Sequence, residues 1–276
     1  SKAIEAAYDT DEAIDIDDGV VMPGLINSHN HMYGILSRGI PITDAPSDFI
    51  GFLEDFWWPR IENVLDKRHI FAASMMSAVE MIKTGTTCFA DILEAPNAIP
   101  DALNTEAKAI EKMGLRSVLS FEATERISQE NGWKGVEENL DFVKEHNGRT
   151  NSLVRGMFCT HTTFTCRAEF LKKVRELADQ YDCGIHIHLE EGAYESDYCL
   201  ANFGRLPVEL YEEIGFLKPD VLASQCVHTK PKEIEILKEQ GVKLAHMPIS
   251  NCEVGGGIAP VPTFLERGLT VGLGTD

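Results

Sequence analysis

The stretch "GVVMPGLINSHNH" at residues 19–31 joins an apolar run to two histidines that are separated by one asparagine. An apolar run of this kind predicts a buried β-strand, here over residues 19–27. Because successive side chains of an extended chain alternate between its two faces, His29 and His31 point to the same side. The stretch therefore predicts a strand that delivers two imidazoles to one place.

Similar apolar runs recur along the chain and alternate with stretches of helical periodicity. The predicted strands are residues 19–27, 86–91, 115–122, 152–160, 184–189, 221–227, 242–247 and 269–275. The predicted helices are residues 69–85, 98–113, 134–146, 167–181, 207–214, 231–240 and 260–267. Eight strands with seven helices between them predict a TIM-type (β/α)8 barrel, a fold of about 250 residues. A doubly wound open sheet is the alternative, but neither GxGxxG nor GxxxxGKS/T follows the first strand.

The two ends of the chain differ from this pattern. Residues 1–18 are strongly acidic, and we expect a solvated loop or the remnant of a small β domain there. The hydrolase-like barrel is predicted over residues 19–276. Since a barrel without a helix after its eighth strand leaves part of its outer face bare, we expect the protein to continue past Asp276.

Composition limits the partners. The formal net charge of -19 gives a surface that repels nucleic acid and anionic membranes, so we expect neither as a partner. No run approaches the roughly 18 apolar residues that a membrane span requires. The seven cysteines include no CxxC pair, which indicates free thiols in a reducing compartment and favours a cytoplasmic location.

The histidines are concentrated where a barrel carries its chemistry, at the carboxyl ends of the strands. Seven of the nine histidines fall at these ends: His29, His31, His161, His186, His188, His228 and His246. Chance placement would scatter them along the chain. The pattern therefore predicts one shared site.

A metal site accounts for this concentration best. His29, His31, His188 and Asp276 offer three nitrogens and one oxygen, a donor set that suits one divalent ion such as zinc, with iron as the alternative. Glu191 follows on the same loop and is placed to move a proton between water and a leaving group. His186 is expected to line the site or to support a ligand from behind.

Four segments resemble a known family: "VVMPGLINSHNHMYGILSRG", "GIHIHLEE", "HMPISNCEVGGGIAPV" and "LTVGLGTD". In order, they resemble the amidohydrolase superfamily, and within it the branch of one-metal aminohydrolases. That branch includes methylthioadenosine/S-adenosylhomocysteine deaminases, guanine deaminases, chlorohydrolases and SsnA-type aminohydrolases. The resemblance runs from about residue 19 to the end of the chain.

The resemblance implies a deaminase in which metal-bound hydroxide attacks the ring carbon of an amino-bearing N-heterocycle and ammonia leaves. It also implies a homodimer or larger assembly. The residues that match the family's pattern are the ligands His29, His31, His188 and Asp276, the proton shuttle Glu191, and the substrate contacts His161 and Glu62. Asp276 would also orient the hydroxide. For Glu62 an exposed helix charge is the alternative.

The sixth strand departs from the family. Gln225 in "SQCVH" stands where the family has a histidine, and an amide can donate a hydrogen bond but cannot become an imidazolium. His228, three residues later, is the alternative catalytic group. The departure leaves three functions open. The first is deamination, and the second is opening of a cyclic amide or loss of another leaving group. The third is a degenerate barrel that binds a ligand without turnover.

Two further side chains are candidates for substrate binding. Trp58 offers a flat aromatic surface for a heterocycle, although a core position is the alternative. Arg126 could meet a polar ring substituent, or it could pair with Glu122 or Glu125 and do nothing else.

Overall fold

The computed structural model describes residues 7, 11–12, 14, 16, 18–42, 46 and 48–276. Within these residues, eight parallel strands follow one another in chain order around a single sheet. The strands are β1 Leu25–Asn30, β2 Thr86–Leu93, β3 Arg116–Ala123, β4 in two segments Val154–Gly156 and Phe158–Thr160, β5 Ile185–Leu189, β6 Val221–Gln225, β7 Lys243–His246 and β8 Thr270–Leu273.

The sheet curls until its first and last strands meet. The backbone N–H groups of Thr275 and Asp276 both donate to the carbonyl of His29, at 3.0 and 3.2 Å. The prediction of a (β/α)8 barrel is confirmed, and the doubly wound sheet is excluded because the strand order never reverses.

Helices cover the outside of the sheet. They are α1 Lys67–Lys83, α2 Ala102–Met113, α3 Gln129–His146, α4 Ala168–Gln180, α5 Ala193–Phe203, α6 Pro207–Glu213, α7 Pro231–Glu239, α8 Pro248–Glu253 and α9 Val261–Glu266. Their ends follow local chemistry: the Asp66 side chain accepts the free N–H groups of Arg68 and His69 and so begins α1. Proline at the first position of α6 and α7 needs no hydrogen-bond partner there.

Apolar side chains from strands and helices pack into two layers. One layer joins α1 and α2 to β2 and β3, for example through Ile70, Leu103 and Phe89, which are all buried. The other joins α4 and α7 to β4 through β7, for example through Phe170 and Leu237. These layers fix the strands and hence the positions of the strand ends.

The first strand was predicted too early. Residues 19–24 form no strand, and Val20 and Val21 are 90% and 79% exposed. Strand pairing begins only where the Leu25 N–H donates to the carbonyl of Gly85 at 2.9 Å. The strand therefore extends to Asn30 and includes His29.

The fourth strand was predicted as one piece and is interrupted at Met157. Its two segments pair with different parts of β3, so Phe121, which is in register with Leu93 of β2, has no partner on the β4 side. The Asn139 side chain from α3 fills this gap, because it accepts from the Phe121 N–H and donates to the Phe121 carbonyl, both at 2.7 Å. The interruption thus costs no buried hydrogen bond.

Three α- or π-helical segments were not predicted. Two are α5, after β5, and α8, after β7. The third, here called the rim helix, runs from Phe49 to Arg60 and is π-helical over Phe52–Trp57. The Asp48 side chain caps its start by accepting from the Gly51 N–H at 2.9 Å.

The predicted unit at residues 1–18 lies mostly outside the described residues, so the division at residue 18 stays a prediction. Leu25, Ile26 and Leu273 on the outer face of β1 and β8 are more than half exposed. In the part of the chain that the structure describes, no helix combines the length and apolar character needed to cross a membrane.

Candidate metal centre and cavity

The barrel brings the four predicted ligands together from three distant strands. His29 lies in β1, His31 follows it, His188 lies in β5, and Asp276 follows β8. One potential ligand atom from each residue lies within 4.8 Å of the corresponding atoms of the other three. The four side chains could therefore share a single ion.

The outer nitrogen of each imidazole is occupied, so each ring turns Nε2 toward the centre. His31 Nδ1 lies 2.8 Å from the carbonyl oxygen of Ile92, and His188 Nδ1 lies 2.7 Å from Oε1 of Glu122. His29 Nδ1 lies 3.0 Å from Nε2 of His186. Metal-binding histidines have this arrangement, in which the second nitrogen is fixed by a partner behind it.

The centre calls for a positive charge. The Ile92 carbonyl accepts the proton on Nδ1 of His31, and the Glu122 carboxylate accepts that on Nδ1 of His188, so neutral rings have bare Nε2 atoms. These two atoms are only 3.1 Å apart, and their lone pairs repel unless a proton or a cation lies between them. The donor set of three nitrogens and one carboxylate oxygen fits a divalent metal ion.

The pKa values of the three histidines also indicate that the cluster lacks a positive charge. Burial lowers the pKa of His29 and of His188 to about 3, so both rings are neutral. Burial also lowers the pKa of His31, but the hydrogen bond to Asp276 and its negative charge outweigh it and raise that pKa to about 10. Without a metal ion, one proton shared by His31 and Asp276 supplies the missing charge.

Asp276 is held from behind by neutral donors. Its Oδ2 accepts from Gln225 Nε2 at 3.0 Å and from the Ser250 hydroxyl. Gln225 is oriented in turn by Asn251, whose amide N–H donates to Gln225 Oε1. The structure thus brings Gln225 beside the predicted ligand. These contacts of Ser250 and Asn251 were not predicted, although the two polar residues in "ISN" follow β7 in the sequence.

The chain turns sharply at the end of β6 to place Gln225. The φ angles of Gln225 and Cys226 are 75° and 52°, in the left-handed region that residues with a side chain rarely adopt. Backbone strain of this kind concentrates at functional sites.

The structure does not bring His228 into the cluster. Its Nε2 lies 2.7 Å from the carbonyl oxygen of Gly256, so the ring is hydrogen-bonded to the loop after β7. The ring also lies outside the wall of the cavity described next. Of the two alternatives at the end of β6, Gln225 is the side chain that reaches Asp276.

A cavity of about 630 Å³ opens above the cluster. Its wall includes the cluster residues His31, His188 and Asp276 and, from the rim helix, Trp57 and Trp58. A space of this size, part aromatic and part polar, is typical of a small-molecule site.

Glu191 opens onto this cavity and is half-buried. Burial, with the nearby charge of Asp276, raises its pKa well above the ordinary value, so the carboxyl group holds a proton. Its direction is set by Glu190, which has a left-handed φ of 50° and whose N–H donates to Oε2 of Glu195 at 2.7 Å. Glu195 also accepts from Thr163, so it ties the loop after β4 to the loop after β5.

His161 also lines the cavity, in a fixed orientation. Its Nδ1 lies 2.6 Å from the Thr165 hydroxyl, and its ring meets that of Trp58 edge to face with centroids 6.1 Å apart. Burial lowers its pKa well below the usual value, so the ring is neutral. The predicted substrate contacts His161 and Trp58 therefore share one wall.

The remaining predicted residues form an acidic wall around one guanidinium. Glu62 is only 3% exposed, so the alternative of an exposed helix charge is wrong. Arg126 donates to Glu62 Oε2 at 3.0 Å and to Glu94, not to Glu122 or Glu125, which were the partners in the alternative to substrate binding. Burial raises the pKa of Glu94 to about 8 and that of Glu122 to about 7.

The guanidinium of Arg126 also lies 4.9 Å above the ring of Trp58. Because its guanidinium already contacts two carboxyl groups and an aromatic face, Arg126 stabilises this wall of the cavity. Glu94 was not singled out in the sequence, although it directly follows β2 as the other candidates follow their strands.

The fold and the cluster define a (β/α)8 barrel with a candidate one-metal centre at the carboxyl ends of its strands. Comparison with known proteins gives the family. The sequence model of the Amidohydrolase family matches residues 20–276, and the chain belongs to that family.

The chain is also similar to named enzymes. It is 37% identical over 273 residues to a 5'-deoxyadenosine deaminase of Methanosarcina mazei, an alignment that covers 99% of this chain and 61% of the relative. It is 36% identical over 274 residues to a 5-methylthioadenosine/S-adenosylhomocysteine deaminase of Desulforudis audaxviator, with 99% and 61% covered. The chain thus spans about three fifths of the length of these relatives.

Among solved structures, an adenosine deaminase of Xanthomonas campestris with bound zinc has a TM-score of 0.79 at 25% identity. The match covers 92% of this chain and 56% of that one. A triazine hydrolase of Arthrobacter aurescens has a TM-score of 0.81 at 23% identity, with 92% and 59% covered, which shows the common fold.

Proposed function

We propose that this barrel is the catalytic part of a metal-dependent aminohydrolase. It replaces the amino group of an N-heterocycle by oxygen and releases ammonia. The observation that carries the proposal is the convergence of His31 Nε2 and His188 Nε2, 3.1 Å apart, beside the Asp276 carboxylate and under a cavity. Buried nitrogen and carboxylate donors that converge in this way without a neighbouring cation are typical of a metal-binding site.

The ion is proposed to be one zinc ion held by His29, His31, His188 and Asp276, with iron as the alternative to be tested. When bound, such an ion lowers the pKa of a water molecule so that hydroxide is available near neutral pH. The remaining steps depend on side chains of the chain itself.

Glu191 moves the protons. Deamination forms a carbon–oxygen bond and breaks a carbon–nitrogen bond, and the leaving nitrogen has to gain protons before it departs as ammonia. In its ionised form the Glu191 carboxylate can take a proton from the attacking water, and its raised pKa favours the protonated form that then gives this proton to the leaving nitrogen. Gln225 and Ser250 keep Asp276 turned toward the centre throughout.

The heterocycle is proposed to lie between the wall of His161 and Trp58 and the metal centre, with Glu62 near its substituents. The names of the relatives support an adenosine derivative as the substrate. All seven cysteines are free, which supports a cytoplasmic location. A homodimer or larger assembly stays a prediction from the family resemblance.

The test is ammonia release from adenosine, 5'-deoxyadenosine, methylthioadenosine, guanine and a pterin by zinc-loaded and metal-free protein. We expect ammonia and the matching keto product from at least one adenosine derivative, and only with metal. Release of another leaving group or a ring-opened product without ammonia would replace deamination by the corresponding hydrolysis. Zinc binding without any product would overturn the catalytic proposal.

A further inference from the structure

We propose that His186 is a positioning residue that determines which nitrogen of His29 carries the proton and so makes His29 Nε2 available to the metal ion. The inference rests on the metal centre of the proposed function. It concerns a side chain that contacts neither the cavity nor the substrate. Its basis is the contact between His29 Nδ1 and His186 Nε2 at 3.0 Å.

The three ring-bearing ligands have three different partners behind them. His31 has the backbone carbonyl of Ile92, and His188 has the carboxylate of Glu122. A backbone carbonyl and an ionised carboxylate only accept hydrogen bonds, so the Ile92 carbonyl and the ionised Glu122 keep the proton of their ring on Nδ1. His29 alone is backed by an imidazole, which can either accept or donate.

The contact of His29 with Asp276 makes this difference important. Without metal, His29 Nε2 lies 2.8 Å from Asp276 Oδ1, and a carboxylate oxygen accepts, so the proton of His29 lies on Nε2. His29 Nδ1 is then an acceptor, and His186 Nε2 has to donate to it. An ion at the centre needs Nε2 bare, which moves the proton of His29 to Nδ1 and requires His186 Nε2 to accept.

His186 is suited to both states because nothing else holds it. It lies in β5, two residues before His188, and is completely buried inside the barrel. Its Nδ1 makes no hydrogen bond to any residue that the structure describes. Either nitrogen of His186 can therefore carry the proton, and His29 can change its tautomer without losing its partner.

The first experiment measures zinc affinity by competition with a chromogenic chelator. His186→Leu removes the acceptor, so we expect zinc affinity to fall by about 10- to 100-fold. His186→Gln keeps a group that can accept or donate, so we expect it to restore most of the affinity. His246→Leu on β7, two strands along the sheet from β5, is the control, because His246 lies outside the cluster; its zinc affinity should equal that of the unchanged protein.

The second measurement is the ¹⁵N spectrum of the histidine rings in the unchanged protein, which reports the tautomer of each ring. We expect His29 to carry its proton on Nε2 without metal and on Nδ1 with zinc. This result decides the matter even if His186→Leu does not fold, which thermal unfolding of the metal-free variant would reveal.

Two results would overturn the proposal: a folded His186→Leu protein with unchanged zinc affinity, or a His29 tautomer that does not move when zinc binds. Zinc binding with the expected tautomers but no ammonia release would overturn only the catalytic function. Absence of zinc binding by the unchanged protein would overturn both.

Discussion

The two ends of the barrel differ in how their buried charges are paired. At the amino ends of the strands, Arg175 from α4 forms two parallel hydrogen bonds with Asp220, at 2.9 and 2.7 Å, so a cation and an anion are matched. At the carboxyl ends, the buried acids Glu62, Glu94 and Glu122 have one guanidinium among them, and the imidazole nitrogens of His31 and His188 face each other at 3.1 Å.

Left-handed φ angles occur at both ends but on different residue types. At the amino ends they fall on Asn151 and Asp182, residue types that adopt this region more readily, whereas at the carboxyl ends they fall on Gln225, Cys226 and Glu190, beside candidate functional side chains. The pairing of charge and the residue types in this conformation thus differ between the end where the chemistry is proposed and the end where the barrel is only held together. Changes at the carboxyl ends should therefore alter binding and turnover, whereas changes at the amino ends should alter stability.

The largest effect is expected at the carboxyl ends from Glu191→Gln. The amide cannot move a proton, so turnover of the best substrate should fall by about 10²- to 10⁴-fold. Metal content and thermal unfolding should stay as in the unchanged protein, because Glu191 is not one of the four clustered residues. Turnover within a few-fold of normal in the metal-loaded variant would remove Glu191 from its proposed role.

A smaller effect is expected at the amino ends from Asp220→Asn. It leaves the buried guanidinium of Arg175 with weaker partners, so the free energy of unfolding should fall by about 1–3 kcal/mol. Turnover per folded molecule should not change. Asp197→Asn on the exposed side of α5 is the control, with a change within about 0.5 kcal/mol. Loss of turnover in folded Asp220→Asn protein would break the division between the two ends.

The smallest effect is expected on the pH dependence of stability, from a buried carboxyl pair where α2 packs on β2. Glu106 on α2 is 1% exposed and lies beside the buried Asp91 of β2, and burial together with Asp91 raises its pKa well above the ordinary value. The folded protein therefore keeps a proton that the unfolded chain loses above about pH 4.5. Stability from this group is present at low pH and is lost as pH rises toward the raised pKa.

Glu106→Gln removes that proton and should flatten the fall in stability as pH rises above about 4.5, by at most about 1.4 kcal/mol per pH unit. Urea unfolding of both proteins at several pH values measures the difference. Equal slopes for the two proteins would mean that Glu106 titrates in the folded state as it does in the unfolded chain.

The sequence predicted the barrel because alternating strands and helices leave a periodic record along the chain. It predicted the grouping of His29, His31, His188 and Asp276 because parallel strands in a barrel end on the same rim. The ranges failed where tertiary contacts decide: β1 begins only where a neighbour pairs with Leu25.

The contacts within the site were harder to predict. His29 and His186 are 157 positions apart, and no local pattern states which nitrogen of one ring meets the other. Arg126 likewise pairs with Glu62 rather than with the nearer Glu122 or Glu125. The rim helix gave no clean signal, since its apolar and acidic residues follow no regular period and Pro59 lies within it.

The most direct test of the metal centre is an anomalous difference map at the zinc absorption edge from crystals of the zinc-loaded protein. We expect one peak per chain, within bonding distance of Nε2 of His29, His31 and His188 and of a carboxylate oxygen of Asp276. A map without a peak among these four side chains, or with its peak elsewhere, would contradict the proposed metal centre.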